Sequence, residues 1–208
     1  MFQSPLKYKN KHQVRTQETQ SKILHAAQAV FSEQGFEKTQ LEEVAVRARY
    51  TRGAIYAHYS GKEDLFLALI EHRVLAKFSA VRQLIEGEPE ASKRAGLFKC
   101  WIASQVCDHS WGMLLLKFKL YALRRPRSRE KLQHMYELLL KSSGNDFIEI
   151  LLGDDLDRAS RAAAERSLAI MGAILSAVIL ENRVRPKLLS KPHLQAVLEE
   201  LYEVLIHA

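Results

Sequence analysis

A chain of 208 residues that is 47% hydrophobic, with 31 Lys or Arg against 24 Asp or Glu, holds enough apolar material for a sizeable core and is not a disordered polypeptide. Its net charge of +7 is unevenly placed: residues 1–62 contain ten Lys or Arg and five Glu, which gives them +5 of the excess, as a polyanion-binding module would have. Cys100 and Cys107 read as lying about 10 Å apart on one helix, too far for a disulfide; with no signal peptide and no apolar run of about 18 residues visible, a cytoplasmic protein without a membrane segment is expected.

Helical period dominates the chain and strand-like alternation is nearly absent. Lys7, Lys9, Lys11 and Arg15 mark residues 1–15 as a flexible basic arm, suited to a minor groove or phosphate backbone, or simply to solvating the chain. Ile23, Ala27, Val30 and Phe31 predict a helix over about 16–34, with Gly35 as its C-terminal cap. Thr39-Gln-Leu-Glu42 reads as a capping box for a short helix to Ala48, with Val44 and Ala45 inward. A third short helix is expected from Thr51 to Tyr59. Ser60-Gly-Lys-Glu63 then reads as a second capping box, opening a long helix through Leu65, Phe66, Leu69, Ile70, Val74 and Phe78. Gly87 and Pro89 end it. Further helices are predicted over about 92–107, 110–124, 128–152, 156–183 and 192–207, with Pro126, residues 142–146, Pro186 and Pro192 as interruptions. The expectation is an all-α fold of about nine helices.

Residues 51–59 carry the chemistry. On a helical wheel, Ile55 and Tyr59 share one face and can pack inward. The opposite face centres on Gly53 and Ala57, with Ala54 and Tyr56 beside them and Arg52 and His58 at the margins. Small residues let a backbone approach a surface closely, and the rim can bond phosphates or reach a base edge. A helix that enters a major groove about 12 Å wide needs both properties. Lys62, in the first turn of the next helix, adds a cation beside a positive helix terminus. The bland alternative is a helical hairpin with an ordinary polar face, and it suffices for any one of these residues. Their order within a helix-turn-helix of the right lengths, after a basic arm, favours DNA.

"AAQAVFSEQGFEKTQLEEVAVRA" (26–48) and "TRGAIYAHYSGKEDLFLALI" (51–70) together resemble the DNA-binding domain of TetR/AcrR-type transcriptional regulators. Phe31, Gly35, Phe36, Thr39, Val44, Ala45, Ala48, Gly53, Ile55, Tyr56, His58, Tyr59, Lys62 and Leu65 stand where that pattern places such residues. The resemblance implies a helix-turn-helix DNA-binding domain over residues 16–62 and a helical ligand-binding and dimerisation domain over 63–208. It assigns Arg52, Gly53 and Ala54 to base contact, Tyr56, His58 and Lys62 mainly to phosphates, and Thr39 and Gln40 to the DNA backbone. Thr51, Tyr59 and Arg49 complete the expected contact set. The chain departs from the pattern where Arg49 and Tyr50 replace the usual Gly and Val of the turn. Arg49 must then accept about 1 kcal/mol of left-handed strain or adopt another turn, and it can add a phosphate contact.

A single module reads few base pairs, so a two-fold homodimer on a palindromic double-stranded operator is expected. Residues 168–180 mix large apolar side chains with small ones, which permits close helix packing in a core or at an interface. The resemblance makes the last two helices a dimer bundle, with Ile170, Ile174, Ala177 and Val178 facing Leu194, Val197, Leu198, Leu201 and Leu205. Trp101, Trp111, Phe118, Tyr121 and Phe147 are candidate liners of an apolar pocket, with plain core as the alternative for each. Cys107, Asp108 and His109 diverge around a helix and make poor joint metal ligands, so neither metal nor cofactor is expected. No P-loop, G-x-G-x-x-G, H-E-x-x-H, C-x-x-C or G-x-S-x-G pattern is seen. The expectation is a regulator, not an enzyme: a repressor released from its operator by a small apolar or amphipathic inducer. The rival is a helical-bundle carrier or enzyme that does not bind DNA.

Overall fold

The computed structural model describes residues 11–105, 109–141, 148–149 and 157–185, together with 193, 196, 197 and 200. These residues hold eight helices and no strand: α1 (Lys11–Lys38), α2 (Leu41–Ala48), α3 (Arg52–Tyr56), α4 (Lys62–Ile85), α5 (Ala91–Gln105), α6 (His109–Leu123), α7 (Pro126–Leu139) and α8 (Arg158–Val184). The chain divides into two compact units, with the boundary between Leu69 and Ile70 inside α4.

The N-terminal unit is built on a shared apolar centre. Ile23, Ala27, Val30 and Phe31 of α1, Val44 of α2, Ile55 of α3 and Leu65 and Phe66 of α4 are each at most 2% exposed. Phe66 meets Phe31 edge-on at 4.8 Å and Phe36 at 5.2 Å, an arrangement that suits the ring quadrupoles. α1 begins five residues earlier than periodicity indicates, so Lys11 and Arg15 belong to a helix and not to a flexible arm; residues 1–10 lie outside the described part. Gly35 interrupts α1 at φ 80°, a conformation that side chains other than glycine rarely adopt.

The helix starts differ from the expected capping boxes. Gln40, not Thr39, is the N-cap of α2, and Glu43 Oε2 reaches back to its backbone N–H at 3.5 Å. Thr39 is committed elsewhere: it is fully buried and its hydroxyl donates to Gly35 O at 2.8 Å, satisfying a carbonyl at the end of α1. At α4 the Ser60 hydroxyl donates to the Asp64 carboxylate, one position beyond Glu63. α3 is shorter than expected, because regular helix ends at Tyr56; Ala57 and His58 follow as a turn whose amides bond to Gly53 O and Ile55 O at 3.0 Å.

The C-terminal unit repeats a helical stripe. Trp111, Leu114, Phe118 and Ala122 of α6 are buried, as are Leu132, Met135 and Leu139 of α7. Pro126 opens α7 at the first helical turn, where its missing N–H costs nothing. Asp157 caps α8 by accepting from Ser160 N at 2.7 Å. α6 and α8 approach closely at Gly112, where a Cβ would fall 2.8 Å from two carbons of Ile179.

Candidate nucleic-acid interface and cavity

Thr51 sets the start of α3. Its backbone is extended and its hydroxyl accepts from Ala54 N at 3.2 Å, an N-cap bond that compensates for the shortness of a five-residue helix. Ile55 is fully buried and Tyr59 is 8% exposed, so the inward face inferred from the wheel is the packed one. Gly53, Ala57, Arg52 and Tyr56 face solvent, and Ala54 and His58 are half-buried. This leaves a small-residue surface with an arginine and a tyrosine on its rim. Arg52 is already engaged: it pairs with Glu42 at 2.7 Å, donates to the Tyr56 hydroxyl at 3.2 Å and lies 5.3 Å from that ring. All three side chains are exposed, so solvent screens the pair and a phosphate can replace Glu42 at little cost. Glu42 escaped the sequence reading; a carboxylate near the start of α2 with an arginine ten residues later was the available signal.

Arg49 takes the left-handed conformation that its position demands, at φ 59° and ψ 39°. Tyr50 N bonds to Ala45 O at 3.0 Å and Arg49 N to Val46 O at 3.1 Å, the Schellman pattern that glycine normally supports. The turn geometry is thus kept and the strain accepted, while the Arg49 side chain is exposed. Tyr50 lies half-buried, its hydroxyl donating to Thr19 Oγ1 of α1 at 3.4 Å.

Three residues of the expected contact set are buried or engaged within the head. Thr39 and Tyr59 are buried. The Lys62 ammonium donates to Glu37 O at 2.8 Å and Thr39 O at 3.1 Å, 5.1 Å from the centre of the Phe36 ring. Burial lowers its pKa, with the Glu37 charge opposing. Lys62 therefore ties α4 to the end of α1, a role hidden from side-chain patterning because its partners are backbone carbonyls. Gln40, Arg49, Thr51, Arg52, Gly53 and Tyr56 remain exposed.

The C-terminal unit holds a half-open cavity of about 480 Å³. Its wall is drawn from Val74 and Phe78 of α4, Phe98, Trp101 and Ile102 of α5, Leu115 of α6, Tyr136, Leu139 and Leu140, and small residues of α8 from Ala169 to Ser176, with Lys77 and Lys119 as its cations. Of the expected liners, Trp101 is present. Trp111 and Phe118 are buried in the core instead, Trp111 beneath the Arg73 guanidinium at 4.3 Å, while Tyr121 stacks on Phe118 and lies 3.8 Å from the Arg125 guanidinium carbon. Phe147 is outside the described residues. Lys77, Lys119 and Tyr136 were missed. The available signal was Lys119, one turn after Leu115 on the same helix. Burial lowers the Lys119 pKa and pushes the Tyr136 phenol up to about 12. Among the described residues no three His, Cys, Asp or Glu gather as a metal site would require.

α8 contains a span, Ala159–Val184, long and apolar enough by length and composition to cross a membrane, and only 12% of its most apolar stretch is buried. Residues 168–180 of this span are those expected from sequence to form a helix packed in a core or at an interface. Ile170 and Ala177 are exposed on it, and Ile174 and Val178 half-buried. Val197 is exposed, whereas Leu194, Leu198, Leu201 and Leu205 fall outside the described residues.

Residues 23–69 match the pattern of bacterial regulatory proteins of the tetR family. The chain is 49% identical over 55 residues to the HTH-type transcriptional regulator AcrR of Shigella flexneri, a match covering 26% of each protein. It spans between about a quarter and two fifths of the length of the first curated relatives it matches. In fold the likeness extends much further. A TetR transcription regulator from Haloarcula marismortui superposes with a TM-score of 0.63 at 12% identity, over 92% of this chain and 97% of that one. The transcriptional regulator FadR from Bacillus subtilis, solved in complex with stearoyl-CoA, gives 0.55 at 19% identity, over 89% and 97%. Residues 23–69 thus carry the pattern of the tetR family of bacterial regulatory proteins, and the chain shares its fold with these solved regulators.

Proposed function

We propose that this chain is a cytoplasmic transcriptional repressor that binds a palindromic operator as a homodimer and leaves it when a small apolar or amphipathic ligand enters the C-terminal unit. One observation carries the DNA reading: Arg52 and Tyr56 rim the small residues Gly53 and Ala57 on a helix whose opposite face, Ile55 and Tyr59, is buried. Such a surface can approach base edges while its rim holds phosphates. The exposed apolar face of α8 supports a two-fold partner, since a second copy would cover it. The cavity supports a ligand, and the stearoyl-CoA held by Bacillus subtilis FadR agrees with an amphipathic one. α4 contributes Lys62 to Leu69 to the head and Val74, Lys77 and Phe78 to the cavity wall, so one continuous helix can carry the coupling. Operator and ligand must then weaken each other's binding reciprocally.

The test is selection of bound sequences from a random DNA pool, with the winner's affinity followed against salt. A palindrome with a steep salt slope is expected. Arg52→Ala should lower operator affinity by about tenfold or more while circular dichroism stays unchanged. A carrier without DNA function would retain its ligand and show neither a selected sequence nor sensitivity to Arg52→Ala, and that result would sink the repressor reading.

A further inference from the structure

The cavity carries more chemical information than its apolar wall suggests. Among the described residues no Asp or Glu lines it, yet Lys119 does, with its ammonium 5.7 Å from the centre of the Tyr136 ring and no carboxylate partner among those residues. The Tyr136 phenol likewise has no hydrogen-bond partner among the described residues. An ammonium in apolar surroundings without a counter-ion is held at a cost, as its lowered pKa reflects. A neutral occupant would strip its remaining water, and a cationic one would repel it. An anion would supply the missing charge and accept from the phenol. The space of about 480 Å³ amounts to roughly sixteen water-sized groups at roughly 30 Å³ each, the size of a medium-chain amphiphile. The stacked Phe98 and Trp101 rings, 5.9 Å apart, provide a flat apolar wall for its body.

We propose that this cavity takes a small amphiphile with one anionic head, a carboxylate or a phosphate, held by Lys119 and the Tyr136 hydroxyl with its apolar part against Phe98, Trp101 and Leu115. The proposal rests on the cavity being the ligand site of the repressor, and its test is separable from that reading.

The full chain is titrated with decanoate, decyl phosphate, decanol and decylamine, following the fluorescence of Trp101 and Trp111 together and the melting temperature. At least one of the two anions should bind about tenfold tighter than decanol, with decylamine weakest, and the stronger anion identifies the head group. Lys119→Met should remove that preference, and Lys119→Arg should restore it. Decanol binding as tightly as both anions, decylamine binding best, no binding of any of the four, or an anion preference intact in Lys119→Met would each overturn the proposal. Should Lys119→Met fail to fold, the ranking of the four probes on the unaltered chain decides. Anion binding that depends on Lys119 but leaves operator affinity unchanged keeps this proposal and removes the induction mechanism alone.

Discussion

The two units treat apolar surface in opposite ways. In the head, Ile23, Ala27, Phe31, Ile55, Leu65 and Phe66 are completely buried, and among its described residues the exposed large apolar side chains are Val14, Val46 and Tyr56, none of them on the buried face. In the C-terminal unit, Ile170 is 47% exposed and Val184 69%, and a cavity lined by Phe98, Trp101 and Leu115 lies among the helices. The head is thus stabilised by its own packing, whereas the body leaves more large apolar side chains exposed among the described residues. Anything that binds only the folded body adds to its stability by mass action, so body stability should depend on concentration and ligand where head stability does not.

The largest effect expected is in the head. Phe66→Ala removes a ring that is fully buried against Phe31 and Phe36, and should cost about 3–5 kcal/mol in chemical denaturation. A loss below about 1 kcal/mol would mean that the head core is not the closed one described. On α8, Ile170→Glu with Ala177→Glu should weaken self-association by about a hundredfold in sedimentation equilibrium, since like charges meet across a two-fold axis. A wild-type monomer at micromolar concentration would break the comparison at its root.

Arg49→Gly sharpens it from the other side. Relief of about 1–2 kcal/mol of left-handed strain, offset by roughly 0.5–1 for the freer glycine, should leave the protein about 0.5–1 kcal/mol more stable. If the Arg49 guanidinium holds a phosphate, the same variant should flatten the operator salt slope by about one. Stabilisation with an unchanged slope would remove Arg49 from the phosphate contacts. The smallest effect concerns Asp157, whose carboxyl lies below its ordinary value of 3.8 because the Ser160 N–H donates to it. Its contribution is fully present above that value and is lost as pH falls through the lower folded one. Asp157→Ala should therefore lower the melting temperature by about 2 °C at neutral pH, with the difference shrinking in acid.

The head was more legible than the body, for a physical reason. Helical period identified Ile55 and Tyr59 as the inward pair, and both are buried although regular helix ends at Tyr56 and Tyr59 lies beyond α3. The same pattern could not reveal that Thr39 and Lys62 serve the carbonyls at Gly35, Glu37 and Thr39, since backbone acceptors leave no mark in the sequence. In the body, Trp101, Trp111 and Phe118 looked alike. Apolar spacing reports that a side chain leaves water, not whether it meets protein or an unfilled space.

The close approach at Gly112 makes one position a caliper for the binding site. α6 brings Leu115 and Lys119 to the cavity and α8 brings Ala169 to Ser176, and the distance between these helices is limited where Gly112 meets Ile179. A methyl group at 112 must push Ile179 or the helix that carries it. A substitution at position 112, which is not among the lining residues, would therefore reshape the cavity from behind its wall.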